Sequence, residues 1–201
     1  MSVKIDIDAL VDTRRFFEVM PDVASKAASM AINQVAARGG LRMAQDAIME
    51  QIAFPRDYLQ GDRLAVSSKA TPSHLEAVIR ARKRATSLAR FADGTVGKPG
   101  VTVTVQRGHS TFLKRSWLVK LKAGTSKTED NYNVGLAVRI KPGDKIVGKH
   151  STHQAWLIPN QVALLYGPSV DQVFRDVADQ IGEPIAQLVA DEFFRQFERL
   201  S

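Results

Sequence analysis

A chain of 201 residues, 44% hydrophobic and 24% charged, can bury about 70% of its unfolded surface and fold around a core of its own. It has no cysteine, which excludes disulfide scaffolds, thiolate metal centres and cysteine nucleophiles, and its composition excludes a largely disordered or collagen-like chain. The net charge of +7 is unevenly placed: residues 38–150 hold 21 basic and 9 acidic side chains (+12), residues 1–37 hold 4 and 5 (−1), and residues 151–201 hold 3 and 7 (−4).

The start, MSVKIDIDALVDTRRFF, lacks the basic n-region and apolar run of a signal peptide, and no stretch reaches the ~18 apolar residues of a membrane span, so cytosolic synthesis without membrane insertion is expected. Leu10, Val11, Phe16, Phe17 and Met20 recur at helical spacing behind a capping Asp8, predicting a helix from Asp8 to Met20. Pro21 then opens a second helix reaching about Ile52, rich in alanine and so suited to close packing, with a kink at Gly39-Gly40. Pro55 ends the helical part, which spans residues 8–53, and FPRDYLQ reads as a short helical turn.

Strand patterns follow, over about residues 63–165. Leu64–Ala70 and His74–Arg84 flank the turn Thr71-Pro72-Ser73, with Leu75, Ala77, Ile79 and Ala81 on one face of the second strand and charge on the other. Val101–Gly108 alternates most clearly, and Trp117–Lys122 and Asn133–Lys141 are further strands around an exposed loop, Lys122–Tyr132. One antiparallel sheet accounts for them. From Ser169 the period returns to helical and an apolar stripe runs to Leu200, predicting a C-terminal helix over about 169–200, with Gly182 and Pro184 marking a bend or break. The expectation is a single α+β domain over residues 1–201: long N-terminal helices and a long C-terminal helix packed on a mainly antiparallel central sheet.

Motifs for catalysis are weak. Gly143 to Lys149 has the glycine and lysine spacing of a phosphate loop, but His150 stands where Ser or Thr should hold magnesium and no good helix follows, so a hairpin connection is the better reading. His150 and His153 lack a third ligand nearby, Asp6 and Asp8 read as a polar edge and a helix cap, and His109 beside Ser110 has no nucleophile elbow. No enzyme activity, cofactor or metal is expected. Arg80, Arg82 and Arg84 alternate on the second strand and, with Lys83 and Arg90, could track the phosphates of DNA, although a solvated face or an acidic protein partner is the better reading of the run.

In LLYGPSVDQVF, Gly167 permits a tight turn, Pro168 fixes a helix start, and Ser169 or Asp171 can meet free amides of the first turn, making Tyr166, Gly167, Pro168, Ser169 and Val170 a strand-to-helix corner. This YGPSV, followed by an amphipathic C-terminal helix, resembles the phage lambda-like minor tail protein Z family, tail completion proteins of long-tailed phages. AINQVAARGGLRMAQDAI (Ala31–Ile48), ATSLARF (Ala85–Phe91) and GVTVTVQRG are similar to family segments in the same order, so the likeness covers nearly the whole chain; Gln34 stands where the family usually has a basic residue.

The resemblance implies a virion structural protein acting late in tail assembly at the head-proximal end, made in the bacterial host cytoplasm and without enzyme activity. Implied partners are further copies in a ring, hexameric by the resemblance, the tail tube or tail terminator, and head-tail connector proteins, with no membrane partner. A ring of unlike contacts needs two complementary patches per subunit, which a +12 middle and a −4 end could supply. Phe193, Phe194 and Phe197 are the expected subunit interface, and Arg80, Arg82, Lys83, Arg84 and Arg90 are the expected non-specific contact with phage DNA. Phe193 and Phe194 cannot share one helix face, so one of them should be partly exposed in a monomer. The alternative is a basic nucleic-acid-binding module outside any particle.

Overall fold

A computed structural model describes residues 2–5, 14–93, 99–122, 132–139, 157–158 and 162–201. The chain is α+β, and its strands pair antiparallel. Strand β1 (Ser2–Ile5) precedes helix α1 (Arg14–Val19), and Pro21, at the first position of α2 (Pro21–Val35), gives up an N–H that a helix start leaves unbonded anyway. The beginning of the expected Asp8–Met20 helix lies outside the described residues.

Alanine shapes the next packing step. Ala24, Ala27, Ala28 and Ala31 are fully buried on one face of α2, where short side chains let another helix come close. At the expected kink, Ala36–Gly40 widens into a π-helical turn before α3 (Leu41–Gln51), so the run from Pro21 stays helical throughout. Two adjacent glycines weaken ordinary α-helical geometry by about 1 kcal/mol each, which is where such a widened turn is easiest to place. A Cβ on Gly39 would lie only 3.1 Å from Leu188 Cδ1.

Leu188 belongs to α4 (Val170–Leu200), 31 residues and about 46 Å long, which packs on α2 and α3. Val173, Phe174, Val177, Ile181, Ile185, Val189 and Phe193 form its buried stripe. Of the bend or break expected at Gly182 and Pro184, the break does not occur. Pro184 lies on the exposed side, where water can meet the carbonyl it leaves unbonded, while Ile181 and Ile185 carry the buried stripe past it.

Beside these helices lies a three-stranded sheet of order β1-β3-β2, with β2 at Leu64–Ser68 and β3 at Ala77–Ala81. Ala77, Ile79 and Ala81 are buried and Arg80 is exposed, as the alternation implies. Asn33 of α2 ties this layer down with both ends of its amide: Nδ2 donates to Ala70 O and Oδ1 accepts from Ala70 N, each at 2.8 Å.

The remaining strands form two further antiparallel sheets. One joins β5 (Ala92–Asp93), β6 (Val101–Thr104) and β7 (Ser110–Leu113) in that order; the other runs β10 (Leu157–Ile158), β11 (Val162–Ser169), β9 (Tyr132–Arg139), β8 (Ser116–Lys122), with β4 (Ala85–Ser87) also on β11. Among the described residues three sheets therefore replace the one expected from sequence. Alternation identifies a strand's faces but not its partner, and the chain changes sheets at Lys114-Arg115, where Ser116 Oγ donates to Leu113 O at 2.9 Å. Two compact units result: unit 1 comprises residues 1–51, 56–84 and 169–201, and unit 2 comprises residues 52–55 and 85–168.

Candidate functional site

The Tyr166–Val170 corner is made without a loop. Strand β11 continues through Gly167 and Pro168 to Ser169, and α4 begins at Val170. No tight turn forms at Gly167; its missing side chain instead admits neighbours, since a Cβ there would stand 3.2 Å from both Leu88 Cδ1 and Phe91 Cε2. Pro168 precedes the cap rather than opening the helix. Ser169 is the N-cap: its Oγ accepts from Gln172 N at 3.1 Å while Gln172 Oε1 accepts from Ser169 N at 2.9 Å, a reciprocal capping box.

Asp171 plays a different part from the expected cap. Its N–H donates to Arg82 O at 3.1 Å, and its buried carboxylate accepts from Arg175 Nη2 at 2.8 Å. Burial opposes ionisation, but hydrogen bonds and positive charge, Arg175's included, outweigh it and hold the carboxyl below its ordinary range.

The basic run is divided by the same contacts. Because β3 ends at Ala81, Arg80 alone of the alternating arginines lies on the strand. Arg82 donates its backbone N–H to Arg63 O at 2.8 Å, and its half-buried side chain stands 3.9 Å from Asp62. The bond to Arg63 continues the register of β3 on β2 one residue past Ala81, whereas Lys83 and Arg84 lie beyond it, so the strand alternation expected to carry Arg80, Arg82 and Arg84 does not extend to Arg84. Arg80, Lys83 and Arg84 are exposed, and Arg90 belongs to unit 2, on a 3-10 turn over Leu88–Phe91.

At the far end of α4 the three phenylalanines meet partners within the chain. Phe193 is fully buried, Phe194 is 38% exposed and Phe197 is half-buried. Phe16 of α1 contacts all three edge-on, with ring centroids 6.0, 5.7 and 4.8 Å away, and Phe17 stacks on Phe193. Phe193 is thus core, while Phe194 keeps a solvent face. Beside them Glu192 is largely buried, which opposes ionisation; hydrogen bonds from Arg195, at 2.6 Å, and from Gln196, with the charges of Arg195 and Arg199, hold its carboxyl below the usual range.

One exposed aromatic has no strong signal in the sequence. Phe112, on β7, is 58% exposed, and a Cβ at Gly100 would fall 2.6 Å from its Cζ, so the ring lies across bare backbone at a residue with φ +83°. Its only sequence signal is its place in STFLKR, an aromatic next to two cations. Charge follows the division into units: unit 2 holds 12 basic and 4 acidic residues (+8), unit 1 holds 16 and 17 (−1).

Asp6, Asp8, His150, His153 and the Gly143–Lys149 segment lie outside the described residues. Ser110 Oγ shares a 2.7 Å hydrogen bond with Thr104 Oγ1. Among the described residues there is no group of three or more His, Asp or Glu placed to hold a metal, and no helix long and apolar enough to cross a membrane. Comparison with family models, curated proteins and solved structures finds no match to this chain.

Proposed function

We propose that this chain is a structural, non-enzymatic phage tail protein, of the tail completion or minor tail kind, that assembles with copies of itself as a ring at the head-proximal end of the tail, near the DNA passage. The observation that carries the reading is the Tyr166–Val170 corner: the segment most like the tail family is a built joint with a reciprocal capping box. The other resembling segments also fall on defined elements, Ala31–Ile48 on α2 and α3, Ala85–Phe91 on β4 and its following turn, and Val101–Thr104 on β6. The unlike charges of the two units suit the unlike patches of a head-to-tail ring. Phe194 offers an apolar contact to a neighbour, and exposed Arg80, Lys83 and Arg84 offer non-specific contact with passing DNA.

Light scattering of the purified protein, alone and with tail-tube protein, tests the reading. A discrete ring, or a monomer that becomes one on the tube, is the expected result; a monomer indifferent to the tube overturns it. A second reading, a nucleic-acid-binding module working outside a particle, draws on the +8 charge of unit 2. That reading requires duplex or single-strand binding whose log K falls linearly with log salt.

A further inference from the structure

We infer that the β6–β7 hairpin is a platform for single-stranded nucleic acid, with Phe112 stacking on an unpaired base and Arg107, Lys114 and Arg115 meeting phosphates. The inference deepens the second reading above and holds whether or not the chain works inside a particle.

The two faces of the hairpin differ in kind. Val101 and Val103 are buried on one face; the other carries Phe112 opposite Thr102, and Ser110 opposite Thr104. A solvated antiparallel face is ordinarily polar, so a phenylalanine 58% exposed among hydroxyls has no role in the core. It is also held in place. The ring lies over Gly100, where a side chain would collide with it, and φ +83° at that residue disfavours any replacement for glycine. A ring fixed in this way loses little freedom when a flat partner stacks on it.

The surroundings select the partner. Arg107 lies in the turn that enters β7, beside Gly108 at φ +80°, and Lys114 and Arg115 form the turn that leaves it; all three are exposed. Asp93, exposed on the same face through its pairing with Thr102, is the one carboxylate among the described residues of unit 2, against seven basic residues there. A second copy of the chain would call for a contiguous apolar area, whereas this surface has one ring with cations at both ends of a four-residue strand. Aromatic faces combined with phosphate-tracking cations are how proteins hold unpaired strands, with little preference for sequence.

Fluorescence anisotropy with labelled oligo(dT) and a duplex of equal length, over a salt series, tests the proposal. Oligo(dT) is expected to bind more tightly than duplex, and Phe112→Ala to weaken it about tenfold at fixed salt without changing the slope. Phe112→Trp should retain binding, which also reports that the hairpin is folded. Reversing Arg107, Lys114 and Arg115 to Glu should flatten log K against log salt by about 0.7 for each phosphate no longer neutralised. Equal binding by wild type and Phe112→Ala, a preference for duplex, or loss only on reversing Arg80, Lys83 and Arg84 would overturn the platform. So would a fall in solution mass on Phe112→Ala, which would make a second copy the occupant.

Discussion

Two neighbouring residues at the head of α4 do separate jobs. Ser169 and Gln172 satisfy each other's amides, so Ser169→Ala should cost about 1 kcal/mol, read as a lower urea midpoint. Asp171 is a buried charge tied to Arg175 and, through its N–H, to Arg82. Its folded-state titration lies below the ordinary 3.8, so its carboxylate adds stability that is fully present above that value and is lost as pH falls through the folded one. Asp171→Asn should therefore lose about 1–3 kcal/mol at pH 7. The gap to wild type should narrow in acid, as urea titrations between pH 7 and pH 3 would show. The serine's role was legible in sequence because a Ser-x-x-Gln spacing before an apolar period is a local signal. That of Asp171 was not, because its i+4 partner Arg175 is an ordinary surface pairing in sequence and only the fold shows that the carboxylate is buried.

Among the elements, the helices were the more readable. The 3.6-residue stripe of α4 states its own buried face, and the helix continues unbroken through Gly182 and Pro184 because local propensity is outweighed by packing on either side. Since Pro184 still forfeits a helical hydrogen bond on an exposed face, Pro184→Ala should raise stability by up to about 3 kcal/mol in urea unfolding. The phenylalanine end of α4 offers a paired test. Phe193→Ala should cost about 3–5 kcal/mol, as a fully buried ring does, whereas Phe194→Ala, whose ring is 38% exposed but edge-on to Phe16 and Phe193, should cost less, about 1–2 kcal/mol, in the isolated chain. If Phe194 faces a neighbouring subunit, its variant should instead lose assembly, seen as a smaller mass by light scattering. Strands were legible as strands and not as sheets. The period-two pattern of β6 gives its buried valines, but nothing in it says that β7 pairs with β6 while β8 leaves for β9.

For the whole molecule, the sequence profile located the positive charge in the middle of the chain, and the fold sharpens that to unit 2, whose +8 exceeds the net charge of the entire protein. The division was hidden because its boundaries carry no linker-like composition: β3 passes to β4 through Arg82, Lys83 and Arg84, and β11 passes directly into α4. The Arg80–Arg84 run is a dense local cluster in sequence, yet it sits in the unit with no net positive charge, and Arg82 is occupied by Asp62. Phe112 is not legible in the sequence, because a lone aromatic in a short strand is ordinary and only the fold sets a glycine beneath it. Association driven by the unlike charges should weaken with salt, so the mass in solution should fall between low and moderate ionic strength; salt-independent mass would point to an apolar interface instead.

The hydrogen bond between Asp171 N and Arg82 O joins residues on either side of an excursion of more than eighty residues that makes up most of unit 2. On the ribosome, this sets an order of events. Helices α2 and α3 are synthesised early with an alanine-lined face whose partner, α4, follows β11. At roughly 5–20 residues per second, that face waits several seconds while the sheets of unit 2 are made and can close. The helical unit therefore finishes last although it starts first, and a nascent chain stalled between β3 and α4 should present its small-residue helix face to chaperones.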